Sequence, residues 1–306
     1  MSILKSYRLA AASTVLLFMG GVALAQNNSI TDQAQAQTNA TGAVNASWQP
    51  SLVNDGVTDH VPHVSAPLAW QPIRQNDVLW QKRYWREIDT REKQNFAFRY
   101  PGDENTGGGY FIEILIDAIK KGKVKAYSPF DDRFTSALTK DQIMDVLVGK
   151  ADTNYVDDPQ TGQQKVIITK HDFNPDIVTK YRIKEDWIFD RNQGKMVVRI
   201  IGIAPYKDVL NDDGSYRTST ALFWLYYPEL RSVLSQYEVF NPENDVARMT
   251  WDDFFEGRRF SSHVIKVSNP FDANFKEEGM SNMESLYEGQ KAQDDLFNKE
   301  HDMWMY

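Results

Sequence analysis

The chain has 306 residues, of which 42% are hydrophobic and 25% charged, so its composition is that of a globular protein with one large domain or two small ones. Its formal net charge of -8 argues against general binding to nucleic acids or anionic membrane surfaces, which favour clustered Lys and Arg. The sequence contains no cysteine, which excludes disulfides, thiol catalysis, cysteine-based metal sites and a lipoprotein anchor.

The first 25 residues have the three parts of a secretory signal peptide. Lys5 and Arg8 form the positive region, residues 9–21 the apolar region, and Ala-Leu-Ala at 23–25 the cleavage site. We therefore predict an exported, soluble mature chain that begins at Gln26. A membrane anchor is the alternative, but the apolar run is short and contains Ser, Thr and Gly.

Residues 26–76 are predicted to form an extended, low-complexity arm. They are rich in Gln, Asn, Ala, Thr, Ser and Pro, with few charges and no sustained period, so they cannot bury enough apolar surface to fold alone. Trp48 and Trp70 make the arm more than an inert spacer, and we predict that they bind a partner. A disordered leader is the alternative, and composition does not decide between the two.

A globular domain over residues 77–275 is predicted to be α+β, with mostly antiparallel sheet and short flanking helices. Helical and alternating patterns predict, in chain order, a short helix from Asp77, a strand that ends near Ile88, a helix over 110–121, a strand over 124–128, a turn over 131–134 and a helix over 139–148. The second half is predicted to contain strands over 165–170, 181–189, 195–204, 216–227 and 262–267, an extended segment over 237–240 and a helix over 250–256. The strands at 181–189, 195–204 and 216–227 should form an antiparallel meander.

The most apolar segment of the mature sequence is residues 220–231. Seven consecutive apolar or aromatic residues, 221–227, predict a strand that is buried on both faces in the middle of a sheet. Pro228 and Glu229 suit the first turn of a helix, so the strand should pass directly into one. Trp224 and Tyr226 are predicted to be buried.

A weak internal repeat relates the two halves of the domain at an offset of about 113 residues. Residues 124–129 match 237–242 in their pattern of aromatic, polar and Pro residues, and 138–141 lie close to 249–252. This similarity suggests two pseudo-symmetric modules, 77–160 and 161–275. Coincidence is the alternative, because few positions match.

Residues 276–306 form an acidic tail that is predicted to be helical. Five apolar or aromatic residues follow helical spacing in it and are predicted to bind a partner: Met283, Leu286, Tyr287, Phe297 and Trp304. Docking of the tail on its own domain is the alternative.

No constellation of catalytic residues stands out, and we predict neither cofactor nor metal. The five histidines are scattered without ligand spacing, and the paired acids lie at turns or in a first helical turn, where Asp is common. An interaction or structural role is therefore favoured. The alternative is a periplasmic glycan-binding protein or cell-wall hydrolase, which would need acids such as Asp131, Asp132, Asp252 and Asp253 to face one cleft.

Several segments together resemble the gliding motility family GldN, called PorN in non-gliding relatives. They are residues 77–95, 224–231, 251–256, 268–270 and 300–304, and the resemblance runs from about Asn76 to the C-terminus. Thr90 departs from the aliphatic residue expected there, which puts only one position of the first motif in doubt.

The resemblance implies a non-enzymatic periplasmic component of the type IX secretion system. Members of the family form a ring beneath the outer membrane with a lipoprotein, GldK or PorK, and contact the periplasmic part of the motor protein GldM or PorM. For this chain it implies self-association in a ring and attachment to the outer membrane through the lipoprotein, without direct membrane insertion.

Overall fold

The computed structural model describes residues 65–102, 109–148, 152–157, 164–169, 173–211, 213, 215–244 and 247–303. The predicted signal peptide, most of the predicted arm with Trp48, and Trp304 lie outside these ranges. The described helices are α1 Phe111–Lys120, α2 Lys140–Val148, α3 Tyr227–Leu234, α4 Trp251–Glu256 and α5 Asn282–Met303. The described strands are β1 Val78–Asp89, β2 Ala126–Tyr127, β3 Asp152–Asp157, β4 Gln164–Thr169, β5 Val178–Asp190, β6 Lys195–Leu210, β7 Tyr216–Ala221, β8 Trp224–Tyr226, β9 Glu238–Val239, β10 Met249–Thr250 and β11 His263–Val267.

A seven-stranded antiparallel sheet organises the domain, which confirms the predicted α+β class. Its strand order is β11-β1-β5-β6-β8-β2, and β7 pairs with β6. Strands β5, β6 and β7 form the predicted meander, with a turn at residues 191–194 between the first two. Two smaller sheets pair β9 with β10 and β3 with β4, of which β3 and β10 were not predicted.

The predicted short helix from Asp77 is wrong, although the strand that follows ends at Asp89, close to the predicted Ile88. Residues Gln75–Asp77 form a single 3-10 turn, and β1 begins directly after it. Trp80 and Ile88 fit one face of a helix by spacing alone. However, β1 pairs with β5 along its length and with β11 on its other side, and these ladders outweigh the local pattern.

The apolar segment 220–231 is two short strands and not one long central strand. Leu222 and Phe223 leave the ladder between β7 and β8 and are fully buried in the core. Strand β8 lies between β6 and the terminal strand β2, so the prediction of a position in the middle of the sheet is wrong. Trp224 is buried as predicted, whereas Tyr226 is only half-buried.

The other local predictions in this part of the chain are confirmed. Helix α3 begins at Tyr227 with Pro228 in its first turn, as the sequence predicts. Helix α4 is capped by Thr250, whose hydroxyl accepts a hydrogen bond from the backbone N–H of Asp253. Local capping and apolar spacing therefore place these two helices.

One core cluster fills the space between the sheet and helices α1, α3 and α4. The ring of Phe98 lies at its centre, with five aromatic ring centroids 5.1–5.9 Å away: Phe111, Tyr181, Trp251, Phe254 and Phe255. Both predicted modules contribute to this cluster and to the large sheet. The two-module interpretation stays a prediction, since β2 pairs with β8 whereas its counterpart β9 pairs with β10.

Candidate interaction surface

The C-terminal helix α5 packs on the sheet through small residues. Ser285, Gly289 and Leu296 are its buried residues, and Ala292 is half-buried beside Tyr84. A Cβ atom at position 289 would overlap the carbonyl oxygen of Val264, so glycine is what lets the helix approach β11 this closely. The predicted tail helix is confirmed, and so is its docking on its own domain.

Polar contacts from a buried arginine also hold α5 against the sheet. Arg86 donates from Nε to Ser262 Oγ at 2.9 Å and from Nη2 to Gln293 Oε1 of the helix at 3.0 Å. Burial lowers the pKa of Arg86, while the charge of Glu185, 3.8 Å away, acts in the opposite direction. Glu185 is fully buried and also accepts from Arg258 Nη1 at 2.7 Å, so the charges beneath the helix are paired.

The outer face of α5 carries the large apolar residues. Four of the five that the sequence singled out in the tail are exposed there, by 51–68%: Met283, Leu286, Tyr287 and Phe297. Gln290 and Asp294 lie on the same stripe and are joined by a hydrogen bond of 2.9 Å from Gln290 Nε2. We call this face the outer stripe. It combines apolar side chains with an amide and a carboxylate, as protein-binding surfaces do.

A groove of about 310 Å³ runs between the outer stripe and β11. Its walls are Ser262, His263, Val264, Leu286, Tyr287, Gly289, Gln290 and Gln293. Burial lowers the pKa of His263, and the carboxylate of Glu87, 4.0 Å away, only partly opposes this effect. The groove therefore offers apolar contact and neutral hydrogen-bonding groups.

Trp70 is used by the fold itself. Its Nε1 donates to Glu256 Oε2 at 3.0 Å, its ring stacks on Tyr227 with centroids 6.3 Å apart, and the guanidinium of Arg231 lies 4.8 Å from its centroid. Burial raises the pKa of Glu256, and the hydrogen bond from Trp70 acts against this rise. These contacts fix the end of the predicted arm to α3 and α4, so the partner surface proposed below does not include Trp70.

The acids that a hydrolase would need do not face one cleft. Asp132 accepts from Trp85 Nε1 at 2.8 Å and pairs with Lys184 at 3.3 Å, on the face of the sheet opposite the main core. Asp252 is buried on the core side, paired with Arg231 at 2.9 Å. The sheet separates the two carboxylates, and each already has a structural partner.

The neighbours of these two acids have local roles as well. Asp131 accepts backbone N–H bonds from Arg133 and Thr135 within its own turn, and the side chain of Asp253 accepts from the capping hydroxyl of Thr250. Within the described ranges, no three side chains of His, Asp or Glu come together as metal ligands, and no helix is long and apolar enough to cross a bilayer.

Comparison with known proteins gives a family. A sequence profile described as "Gliding motility associated protein GldN" matches residues 73–305, which is most of the chain and includes the five α-helices that the structure describes. No curated protein sequence matches the chain. The match covers both faces of the sheet and the outer stripe, and it begins just after Trp70. The chain therefore belongs to the GldN family and has a role in gliding motility and the associated type IX secretion machinery.

Proposed function

We propose that this chain is a non-enzymatic periplasmic ring subunit of the type IX secretion system. In this proposal an outer-membrane lipoprotein of the GldK or PorK type attaches the ring to the membrane, and the periplasmic part of a GldM or PorM motor protein contacts the ring from below. Family membership supports the assignment of the chain to this machinery, and the outer stripe supports a role in binding another protein chain. The exposure of four large apolar side chains on one helix is the observation that carries the proposal.

Within the part of the chain that the structure describes, the large apolar side chains of the outer stripe are exposed and do not belong to the buried core. A helix that serves only its own domain turns its apolar residues inward, whereas α5 buries mainly small residues and exposes Met283, Leu286, Tyr287 and Phe297. Exposed aromatic and methionine side chains are typical of protein interfaces. We therefore assign the outer stripe to a protein–protein contact within the assembly.

The arm is our candidate for the contact with the lipoprotein. Trp70 fixes its C-terminal end to the domain through Glu256, Tyr227 and Arg231. A pull on the arm would therefore reach the aromatic core directly. This arrangement suits a subunit that is anchored through its arm while the motor acts on its folded part.

Deletion of residues 26–64 tests the proposal, because it removes most of the arm but keeps the end that Trp70 holds on the domain. We expect the deleted chain to fold, as judged by circular dichroism, and to lose co-purification with the lipoprotein. A chain in which residues 26–64 are replaced by a Gly/Ser segment of equal length is the matched control, since it keeps the length and removes the sequence. Undiminished co-purification of the deleted chain would contradict the assignment of the arm.

A further inference from the structure

A cluster of lysines lies at the edge of the sheet that is formed by β2. It consists of Lys120, Lys121, Lys123 and Lys125 at the end of α1 and before β2, together with Lys140 at the start of α2. All five are exposed, and Lys140 Nζ donates to the carbonyl oxygen of Lys120 at 2.8 Å, which brings the two helix ends together. Asp117 pairs with Lys121 at 2.7 Å, and α2 adds the exposed Asp141 and Asp145, so five lysines outnumber three carboxylates at this edge. We call this cluster the lysine edge.

The outer stripe has the opposite charge. Helix α5 carries only two lysines, Lys291 and Lys299, against six carboxylates: Glu284, Glu288, Asp294, Asp295, Glu300 and Asp302. Asp294 lies within the stripe, and Asp302 is exposed in the last helical turn. The two surfaces are therefore complementary in charge.

Apolar residues are present at both surfaces. Phe130, which is 93% exposed, follows β2 closely, and Met144, 39% exposed, lies one turn after Lys140 on α2. The outer stripe offers Leu286, Tyr287 and Phe297 in return. A contact between the two surfaces would thus bury apolar area as well as pair charges.

The strand order places these surfaces at opposite ends of one sheet. Helix α5 packs on β11, the first strand, and the lysine edge adjoins β2, the last. Five strand spacings of about 4.8 Å separate the two strands by about 24 Å. A single copy therefore presents one surface on each side.

We propose that copies of this chain associate head to tail, with the outer stripe of one copy against the lysine edge of the next. Two outer stripes carry like charges and repel each other, and so do two lysine edges, so the contact joins two different surfaces. Such a contact repeats from copy to copy until the assembly closes into a ring or continues as a filament. This inference rests on the proposed function, a ring subunit, and names the surfaces that join the copies.

Paired charge reversals test the contact. One variant carries Lys120→Glu and Lys123→Glu, and the other carries Asp294→Lys and Asp302→Lys; the second change also suits a helix C-terminus. In sedimentation velocity at low salt we expect wild-type chains to form multimers and each variant alone to associate about tenfold more weakly or worse. An equimolar mixture should associate as the wild type does, because each junction between the two variants again joins opposite charges.

A control with Lys82→Glu and Lys195→Glu makes the same charge change at exposed positions of β1 and β6, which belong to neither surface, and should associate normally. Normal association of either reversal variant, a mixture that stays dissociated, or a monomeric wild type would each overturn the proposal. Co-purification of every variant with the lipoprotein is measured in parallel. Its loss in the wild type would count against the proposed function, whereas insensitivity of the multimers to reversal counts against this contact.

A cysteine cross-link gives a second measurement that does not depend on charge-reversed chains. The protein has no cysteine, so Lys125→Cys and Tyr287→Cys introduce the only thiols. Head-to-tail contact predicts a ladder of oxidised multimers when one chain carries both changes, and dimers at most when the two single variants are mixed. Absence of a ladder from the double variant would overturn the proposal.

Discussion

The core around Phe98 and the docking site of α5 are held by different means. At the core, rings of Phe111, Tyr181 and Trp251 surround a buried Phe98 within 5.1–5.2 Å. Beneath α5, the contacts are small residues, one leucine and the hydrogen bonds of Arg86. The core helices turn their large apolar residues inward, whereas α5 turns most of them outward.

This difference separates the residues that stabilise the domain from those available to a partner. A residue that is apolar and buried contributes to the free energy of unfolding, whereas an exposed one contributes little. Buried and exposed apolar residues occur in the same domain, so matched substitutions can distinguish their contributions to stability. The expected losses of stability decrease from the core, through the docking contacts, to the outer stripe.

Phe98→Ala should have the largest effect. Removing a fully packed ring from among five others leaves a cavity, and we expect the free energy of unfolding in urea to fall by about 4 kcal/mol. Phe96→Ala is the matched control, because Phe96 lies in the same 3-10 helix but is exposed. Equal losses for the two variants would show that the aromatic cluster does not dominate the core.

Arg86→Met should have the second-largest effect on the free energy of unfolding. It removes the hydrogen bond to Gln293 and one of the two cations near the buried Glu185, and we expect a loss of about 3 kcal/mol. Hydrogen exchange should show faster exchange along α5 as well as lower global stability. Lys82→Met, at an exposed position of the same strand, is the control, and unchanged exchange in α5 of the Arg86 variant would refute the role of this contact.

Gly289→Ala should loosen α5 with a smaller loss, about 2 kcal/mol, because the added methyl group pushes the helix away from Val264. Alanine at the neighbouring exposed position, Gln290→Ala, should leave the free energy of unfolding unchanged. Limited proteolysis within α5 is the most direct measurement. If the Gly289 variant resists protease as well as the wild type does, the close approach is not needed.

Leu286→Ser combined with Phe297→Ser should have the smallest effect on stability, below about 0.5 kcal/mol, because both side chains are already exposed. Multimers should nevertheless become weaker in sedimentation velocity. Leu79→Ser, a change at an exposed leucine of β1, should affect neither property. A large loss of stability from the double variant would mean that the outer stripe belongs to the fold.

Local sequence patterns predicted the elements that local physics decides. The apolar spacing that predicted α1 also forms the buried face of that helix, and Pro228 marks the start of α3. The same kind of pattern wrongly predicted a helix at Trp80 and Ile88, because the pairing of β1 with β5 and β11 overrides the helical spacing. Local spacing does not predict the pairing of residues that are distant in the sequence.

The sequence assigned the apolar residues of the tail to a partner and left open docking of the tail on its own domain, and α5 docks through other residues, Ser285, Gly289 and Leu296. The spacing of Met283, Leu286 and Phe297 predicts a helix with an apolar face, and such a face is usually buried. The signal for the opposite orientation was Gly289, because a glycine inside a helix costs about 1 kcal/mol and often marks close packing. Four of the five lysines of the lysine edge lie within residues 120–125 of the sequence, and only the approach of α1 and α2 adds Lys140 to them.

The position of β1 between β5 and β11 has a consequence for how the chain acquires its fold. Tyr84 of β1 pairs with Glu185 on one side and with Val267 on the other, so the sheet joins residues about 100 and about 180 positions apart. Such distant pairings form slowly, because a long loop must close before the ladder compensates for the lost chain entropy. An emerging chain therefore cannot complete this sheet until residues beyond Val267 are free.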